Sequence, residues 1–322
     1  MNGKVSMKDI ASSLNITVDA VSKALRDSPE ISESTKDKVR QKARELGYVK
    51  NSLAVSLKTG TTKNVAVFVN DLYNPYFAIM VYKIIRLLDG EGYTGVITLS
   101  NGYDLRMSDL SAFFTNKCSM AISLVQPTDE VAKTFADNSI PLFVIGIKPT
   151  SESVNYAITD DYSGGQKAGK FFLSKGFKKA IYLTNSPSET TKRRYSGFND
   201  FLSPVIGGSV DYLRFDYDGK TLADAAKLIK DNGYDFVFCH SDYVAILLRR
   251  VLKEQGSLGG IYLMGYDNVS QYVDLYDPVS SIGADDDELV KEVVDTSIAM
   301  HTGARCPTQL FHKVFPVELV ER

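Results

Sequence analysis

Three short segments near the start of the chain carry apolar residues at helical spacing, each preceded by a serine or a threonine. A hydroxyl side chain in that place can accept a hydrogen bond from a free amide of the first helical turn. The inward positions are Ile10, Ala11 and Leu14, then Val21, Ala24 and Leu25, then Val39, Ala43 and Leu46. The capping residues are Ser6, Thr17 and Ser32. The pattern predicts three small helices within residues 1–50, with Pro29 and Gly47 as breaks.

From Lys63 onward, apolar runs alternate with amphipathic segments of helical period. The first run, residues 64–69, is continuously apolar, as expected for a strand that is buried on both faces. Alternation of strand and helix is typical of a parallel sheet with helices on both faces. Because about 260 residues is large for one such sheet, we expect an α/β body of two subdomains with a ligand cleft between them.

The first two predicted helices are separated by a short turn, which is the arrangement of a helix-turn-helix unit. In that unit the second helix lies in the DNA major groove, with its N-terminal residues at the base edges. Lys23 could donate to guanine, Asp19 could accept from cytosine, and Val18 could contact a thymine methyl group. The residues suited to phosphate contacts are Thr17, Ser22 and Arg26. The alternative is a three-helix bundle whose polar face is only solvated.

Charge is distributed unevenly along the chain. Residues 1–60 hold 11 Lys and Arg against 7 Asp and Glu, a net charge of +4. The whole chain holds 37 basic and 39 acidic residues, which leaves the remainder with a net charge of −6. A basic head on an acidic body is expected of a protein that binds nucleic acid.

Four segments of the head, at residues 5–11, 16–25, 31–35 and 45–51, resemble the lactose/galactose repressor family of bacterial regulators. The resemblance implies a helix-turn-helix head at residues 1–50 and a hinge helix with its linker at residues 51–62. Paired hinge helices of a dimer would enter the minor groove at the centre of a pseudo-palindrome. The hinge residues expected to contact DNA are Asn51, Ala54, Leu57 and Lys58. Leu57 matches the leucine that wedges between base pairs, and Lys50 stands where the family usually has proline.

The body resembles the same family in short segments, at residues 74–77, 160–165, 194–198, 241–242, 265–268 and 315–322. The resemblance implies a periplasmic-binding-protein-like fold. Its N-terminal, dimerising subdomain would hold residues 63–160 and about 283–305. Its C-terminal subdomain would hold residues 161–282 and about 306–322.

The resemblance also implies an effector site. The matching positions are Tyr76, Phe77, Arg194, Tyr217, Ser241 and Asp267. An arginine and a carboxylate suit a ligand rich in hydroxyl groups, and aromatic rings suit its flat face. Ordinary packing is the alternative for the aromatic residues, and a turn is the alternative for Asp267. Gly146 stands where many members carry aspartate, which argues against transferring a familiar sugar effector.

Other candidate chemistry is weak. Residues 164–170 fit the spacing of a phosphate loop, but Phe171 stands where the magnesium ligand is required. The histidines and cysteines show no metal spacing, so we expect neither a metal nor a cofactor. No signal peptide and no long apolar stretch is found, so we expect a cytoplasmic protein without a membrane span.

The sequence therefore predicts a repressor, not an enzyme. The protein would bind a double-stranded DNA operator as a homodimer under the control of a small-molecule effector, a sugar or a related polar metabolite. One alternative is a sugar-binding module without DNA function, such as a solute-binding protein for transport. A nucleotide-using α/β enzyme is another. DNA binding would weaken steeply as salt rises, whereas sugar binding would hardly change.

Overall fold

The computed structural model describes residues 5–48, 62–186, 188–215, 220–272, 278–306 and 308–322. The chain forms two compact units, which we call the head (Met1–Thr62) and the body (Lys63–Arg322). The predicted hinge positions at residues 51–58 and Tyr217 lie outside the described residues. Among the described residues, none of the helices combines the length and the apolar character needed to cross a membrane.

The head contains the three predicted helices. They are α1 (Met7–Leu14), α2 (Val18–Leu25) and α3 (Glu33–Glu45). Their inward faces meet in a small core of Ile10, Ala11, Val21, Ala24, Val39 and Ala43. Leu46 was expected on this face but is exposed, because α3 ends at Glu45 and Leu46 is only its C-terminal capping residue. Lys36 is the third buried residue of α3 instead.

The body alternates strands and helices as predicted. Its first part contains β1 (Asn64–Val69), α4 (Pro75–Gly90), β2 (Thr94–Leu99), β3 (Asp104–Leu105), a 3-10 turn (Met107–Leu110), α5 (Ser111–Thr115), β4 (Met120–Ser123), β5 (Gln126–Pro127), α6 (Asp129–Asp137), β6 (Leu142–Ile145) and β7 (Asn155–Thr159). Its second part contains α7 (Asp161–Lys175), β8 (Ala180–Thr184), α8 (Glu189–Ile206), β9 (Asp211–Arg214), α9 (Lys220–Asp231), β10 (Phe236–Cys239), α10 (Asp242–Glu254) and β11 (Tyr262–Met264). A 3-10 turn (Val269–Gln271), β12 (Ser281–Gly283), α11 (Asp286–His301), β13 (His312–Phe315) and β14 (Glu318–Val320) follow.

Two parallel sheets organise the body. The larger has six strands in the order β13-β7-β6-β4-β1-β2, and the smaller has four in the order β11-β10-β8-β9. All pairs within these two sheets are parallel. β12 pairs with β14 in an antiparallel ladder, and β3 with β5 in a parallel one.

The tail of the chain differs from the sequence expectation. Residues 306–322 were expected with the second subdomain, but β13 pairs with β7 in the six-stranded sheet, with His312 opposite Tyr156. The imidazole of His312 also stacks on the Tyr156 ring, with centroids 4.3 Å apart. Side-chain and backbone pairing therefore both fix residues 312–315 to the larger sheet.

Buried apolar residues cover both faces of the sheets. β1 is buried from Val65 to Val69, as its continuous apolar run predicts. One core cluster packs α5 and α6 on the six-stranded sheet, and a second packs α9 and α10 on the four-stranded sheet. The largest cluster includes α4, α7, α8 and α11. Because the strands are held from both sides, the loops at their carboxyl ends sit on a rigid support.

Candidate functional site

The turn between α1 and α2 follows from three local features. Asn15 adopts a left-handed conformation with φ +53°, which asparagine tolerates better than most residues. Ile16 packs on the head core, and the Thr17 hydroxyl oxygen accepts a hydrogen bond from the Ala20 amide at 3.1 Å. α2 therefore begins at a fixed point immediately after α1, as a helix-turn-helix unit requires.

The outer face of α2 carries the side chains that were predicted to contact DNA. Thr17, Val18, Asp19 and Arg26 are exposed, and Ser22 and Lys23 are half-buried. The opposite face, Val21 and Ala24, lies in the head core. Arg26 donates from Nε to the Ser22 carbonyl at 3.2 Å, so its guanidinium also caps its own helix. The outer face of α2 is accessible and mostly polar, and its opposite face is fixed in the head core. A helix that contacts bases in the major groove requires this arrangement.

In the body, Arg194 of α8 is the centre of a buried polar cluster. Its Nε donates to Asp161 Oδ1 at 2.8 Å, and its Nη1 lies 3.4 Å from Asp267 Oδ1. Nη1 also donates to the His240 carbonyl. The Tyr266 ring lies against the guanidinium, 3.5 Å from its carbon to the ring centroid. The structure thus brings Arg194 and Asp267 together and adds three residues to them.

Strand ends from both sheets meet in this cluster. Asp161 begins α7 two residues after β7 of the six-stranded sheet ends. His240 follows β10, and Asp267 follows β11, in the four-stranded sheet. Ligands of parallel α/β sheets bind at the carboxyl ends of strands. Arg194 therefore joins the carboxyl edges of the two sheets, where a ligand of such a fold would be expected.

Two glycines allow α7 and α8 to approach closely enough for this pairing. A Cβ atom at Gly165 would lie 2.1 Å from the Arg194 carbonyl oxygen. A Cβ atom at Gly197 would lie 2.0 Å from the Tyr162 carbonyl oxygen. The glycines of residues 164–170, whose spacing resembles a phosphate loop, belong to α7. Gly164 and Gly169 are buried there against side chains, and Gly165 is buried against the backbone of α8. Their role in the described structure is helix packing.

Burial and charge shift the acid–base properties of the cluster. Burial would lower the pKa of Arg194, but Asp161 and Asp267 raise it above its ordinary value, so the guanidinium stays charged. Burial raises the pKa of Asp267 to about 6, against the opposing effect of Arg194. Burial and the charge of Arg194 lower the pKa of His240 to about 3, so its imidazole is neutral at pH 7.

Asp286, at the start of α11, extends the cluster. It is 2% exposed, and its Oδ2 atom has no hydrogen-bond partner among the described residues. Burial, followed by repulsion from Asp267, raises its pKa to about 7. The His240 Nδ1 atom likewise lacks a partner within the described part of the chain. Buried polar atoms of this kind are normally satisfied by water or a ligand.

Tyr76 and Phe77 lie in the first turn of α4, which the Asn74 side chain caps by accepting from the Tyr76 amide at 3.1 Å. Both rings are mostly buried and pack edge to face with centroids 5.6 Å apart. Burial, then the charges of Asp286 and Asp267, raises the pKa of Tyr76 well above its usual value. Tyr76 therefore lies within electrostatic reach of the cluster.

Ser241 is placed differently from the charged residues. Its hydroxyl oxygen accepts from the Val244 amide at 3.4 Å and caps α10. Its neighbour Asp242 is fully buried and accepts from the Ser281 hydroxyl at 2.6 Å and from the Val269 amide at 2.8 Å. These contacts hold the turn of Asp267, which adopts a strained φ of +93°.

Sequence reasoning missed four members of the polar cluster. Asp161 and Tyr266 lie within segments that resemble the family but were not among the predicted site residues, while His240 and Asp286 carried no local signal. Their common feature is position directly after a strand or at the first turn of a helix, where the chain meets the sheet edge. That feature could have identified Asp161 and His240.

Comparisons with known proteins agree with this geometry. The family model described as bacterial regulatory proteins, lacI family, matches residues 6–51. The chain is 25% identical over 299 residues to the ribose operon repressor of Haemophilus influenzae, and this alignment covers 90% of each protein. It is 24% identical over 277 residues to the transcriptional repressor PurR of Histophilus somni, which covers 82% of each.

The fold matches a crystal structure of the lac repressor dimer bound to operator and the anti-inducer ONPF, with a TM-score of 0.80 and 19% identity. The match covers 99% of this chain and 98% of that chain. The predicted fold, a helix-turn-helix head before an α/β body of the periplasmic-binding-protein type, is confirmed. The head of this protein therefore matches the lacI family of bacterial regulatory proteins, and the chain is similar over most of its length to transcriptional repressors.

Proposed function

We propose that the protein is a cytoplasmic transcriptional repressor that binds a pseudo-palindromic operator as a homodimer. A small polar effector bound in the body controls it. The observation that carries the proposal is the polar face of α2, exposed on a three-helix head that the lacI family model matches. In this arrangement Val18, Asp19 and Lys23 reach base edges, while Thr17, Ser22 and Arg26 reach phosphates.

The hinge completes the proposed DNA contact. Asn51, Ala54, Leu57 and Lys58, which lie outside the described residues, would fold into a helix in the minor groove of the bound operator. Leu57 would wedge between base pairs, and the bend that follows would bring more of the protein against DNA. The ordering of the segment on contact reduces the affinity that the contacts alone would give.

The dimer is supported by an apolar patch on the six-stranded sheet. β2 is an edge strand, and its residues Ile97 and Leu99 are exposed, as is Tyr82 on α4. An exposed apolar edge strand is a site of self-association unless it is covered. A second copy of the chain would cover it and would place two heads on the two halves of an operator.

The effector site would be built on the polar cluster. Two carboxylates, Asp161 and Asp267, pair with the single guanidinium of Arg194, so the cluster has a surplus of acceptors and of negative charge. The buried carboxyl group of Asp286 lies within electrostatic reach of Asp267. A ligand that donates hydrogen bonds, such as a polyol or an amine, would satisfy Asp286 and the imidazole of His240. An anionic ligand is disfavoured. Tyr76 and Phe77 would line one side, and Arg194 and Asp267 the other, with Tyr217 and Ser241 as further candidates.

Coupling between the two sites would run through Arg194. Asp161 follows a strand of the larger sheet, and Asp267 follows a strand of the smaller one. A ligand that takes the place of Asp161 at Arg194 would change the contact between the part of the body built on the six-stranded sheet, which includes β13, and the part built on the four-stranded sheet. By linkage, the ligand then changes operator affinity by the factor by which operator changes ligand affinity.

Fluorescence anisotropy with a labelled random-sequence duplex tests the DNA part of the proposal. Binding should fall steeply between about 50 mM and 200 mM salt, because each phosphate neutralised by the head releases counterions. A truncated body beginning at Lys63 is the control and should show no such binding. Equal binding by the full chain and the truncated body would reject the head as the DNA-binding element.

A further inference from the structure

The predicted base-reading lysine is held between two carboxylates of its own head. Lys23 Nζ lies 2.6 Å from Glu30 Oε2 and 3.2 Å from Asp19 Oδ2. Asp19 is one helical turn earlier on α2, whereas Glu30 lies in the segment that connects α2 to α3. The Lys23 side chain is 32% exposed, and the Glu30 side chain is 66% exposed.

This contact matters because an ammonium group has three donors and no acceptor. Two carboxylates, Asp19 and Glu30, already lie within reach of the three donors of the Lys23 ammonium group. The side chains of Lys23, Asp19 and Glu30 together carry a net charge of −1. A lysine that donates to guanine O6 and N7, or to a phosphate, must turn these donors toward DNA. Glu30 is then left beside the polyanion without its partner.

We propose that Glu30 is an intramolecular competitor for Lys23, which weakens DNA binding by holding the lysine in the free protein. The inference rests on the proposed DNA-binding function. The hydrogen bond to Glu30, followed by the hydrogen bond to Asp19, raises the pKa of Lys23, so the lysine remains charged while it is held. Each operator contact by Lys23 is therefore an exchange of partners, and its net strength depends on Glu30.

Glu30 is not needed to hold the head together. It is exposed and lies outside the buried residues that form the head core. The ion pairs that link α3 to the preceding turn are different ones, in which Asp27 contacts Lys36 at 3.0 Å and Arg40 at 2.8 Å. Substitution of Glu30 should therefore leave the fold intact and change only what Lys23 can reach.

The test compares operator affinity of Glu30→Gln with that of Glu45→Gln. Glu45 pairs with Lys42 at the far end of α3, so both variants remove one negative charge and one lysine partner from the head. Anisotropy with an operator duplex obtained by selection should show Glu30→Gln binding about two- to five-fold more tightly than the wild type, the range of an exposed ion pair. Glu45→Gln should show a smaller gain.

The decisive arm repeats Glu30→Gln in a Lys23→Met background. The gain should disappear there, because no ammonium remains to be released. A gain that persists with Lys23→Met, or that equals the gain of Glu45→Gln, would overturn the inference and assign the effect to general charge. Glu30→Asp keeps the charge but shortens the reach, and it should give a gain of the same sign. If even the wild type selects no site from random duplexes, the proposed function itself fails, which distinguishes the two outcomes.

Discussion

Arg194 on α8 and Asp161 at the start of α7 form a buried ion pair at 2.8 Å, although 33 residues separate them along the chain. The pair is possible because Gly165 and Gly197 let the two helices touch backbone to backbone. The pair holds the charged guanidinium of Arg194 beside the carboxyl ends of strands from both sheets. Stability and ligand response of the body should both depend on it.

Arg194→Ala should lower the free energy of unfolding of the body by about 3–5 kcal/mol, because it leaves Asp161 buried without its partner. Urea unfolding followed by circular dichroism measures the change. Arg193→Ala is the matched control, since Arg193 is the preceding residue of the same helix and is exposed. It should change stability by less than about 0.5 kcal/mol. Equal effects of the two substitutions would contradict the structural role of the pair.

Gly165→Ala should destabilise the body by about 1–3 kcal/mol, because the added methyl group would overlap the Arg194 carbonyl and force the helices apart. Gly90→Ala makes the same chemical change at the end of α4, where a Cβ atom meets nothing within 4 Å. That variant should be neutral or slightly stabilised. Comparable melting temperatures for the two variants would mean that the close approach of α7 and α8 is not required.

Asp286→Asn should make the body less sensitive to pH. In the unfolded chain an aspartate ionises near pH 4, whereas burial raises the pKa of the native Asp286 to about 7. Folding therefore takes up a proton in this window, and stability is lost as pH rises through it. The groups that act on Asp286 are Asp267, Asp285 and Asp287, which raise its pKa, and Lys83, which lowers it.

Because asparagine cannot ionise, the variant should gain stability relative to the wild type between about pH 5 and pH 8. Thermal melting across this range measures the difference. Asp224→Asn, at an exposed position of α9, is the control and should run parallel to the wild type. If the Asp286→Asn profile also ran parallel to the wild type, the burial of a titrating carboxyl group would be refuted.

Leu57→Ala should weaken operator binding and reduce DNA bending, while effector affinity of the free protein stays nearly unchanged. The reason is that an apolar wedge stabilises an unstacked step only in the DNA complex. Fluorescence energy transfer between dyes at the two ends of an operator duplex measures the bend. Wild-type bending by this variant would rule out the wedge.

The head could be predicted almost completely from sequence because its signals are local. Thr17 and Ser32 accept hydrogen bonds from the third residue of their helices, as their positions predict. Leu46 was placed wrongly because periodicity alone does not say where α3 ends. The ion pair between Lys23 and Glu30 could not be predicted either, since Glu30 is seven residues away in a connecting segment.

The alternation of strands and helices in the body could be predicted from sequence, but its last three strands could not. β12 and β14 pair across about 40 residues of chain, and β13 joins β7 across more than 150. Such short strands carry too few residues to show a period. The polar cluster depends on the same long-range contacts. Arg194 and Asp267 were found through family resemblance, whereas Asp286 is recognisable only once α11 is seen to begin beside them.

The central claim is that the head reads an operator and the body controls it. Selection of the purified protein against random duplex DNA, with and without a pooled metabolite extract, tests that claim most directly. We expect enrichment of a two-fold symmetric site, and a change in its enrichment when the extract is present, whose direction distinguishes an inducer from a corepressor. Enrichment of no sequence in either condition would contradict the account and would leave the body as a small-molecule binding module without DNA function.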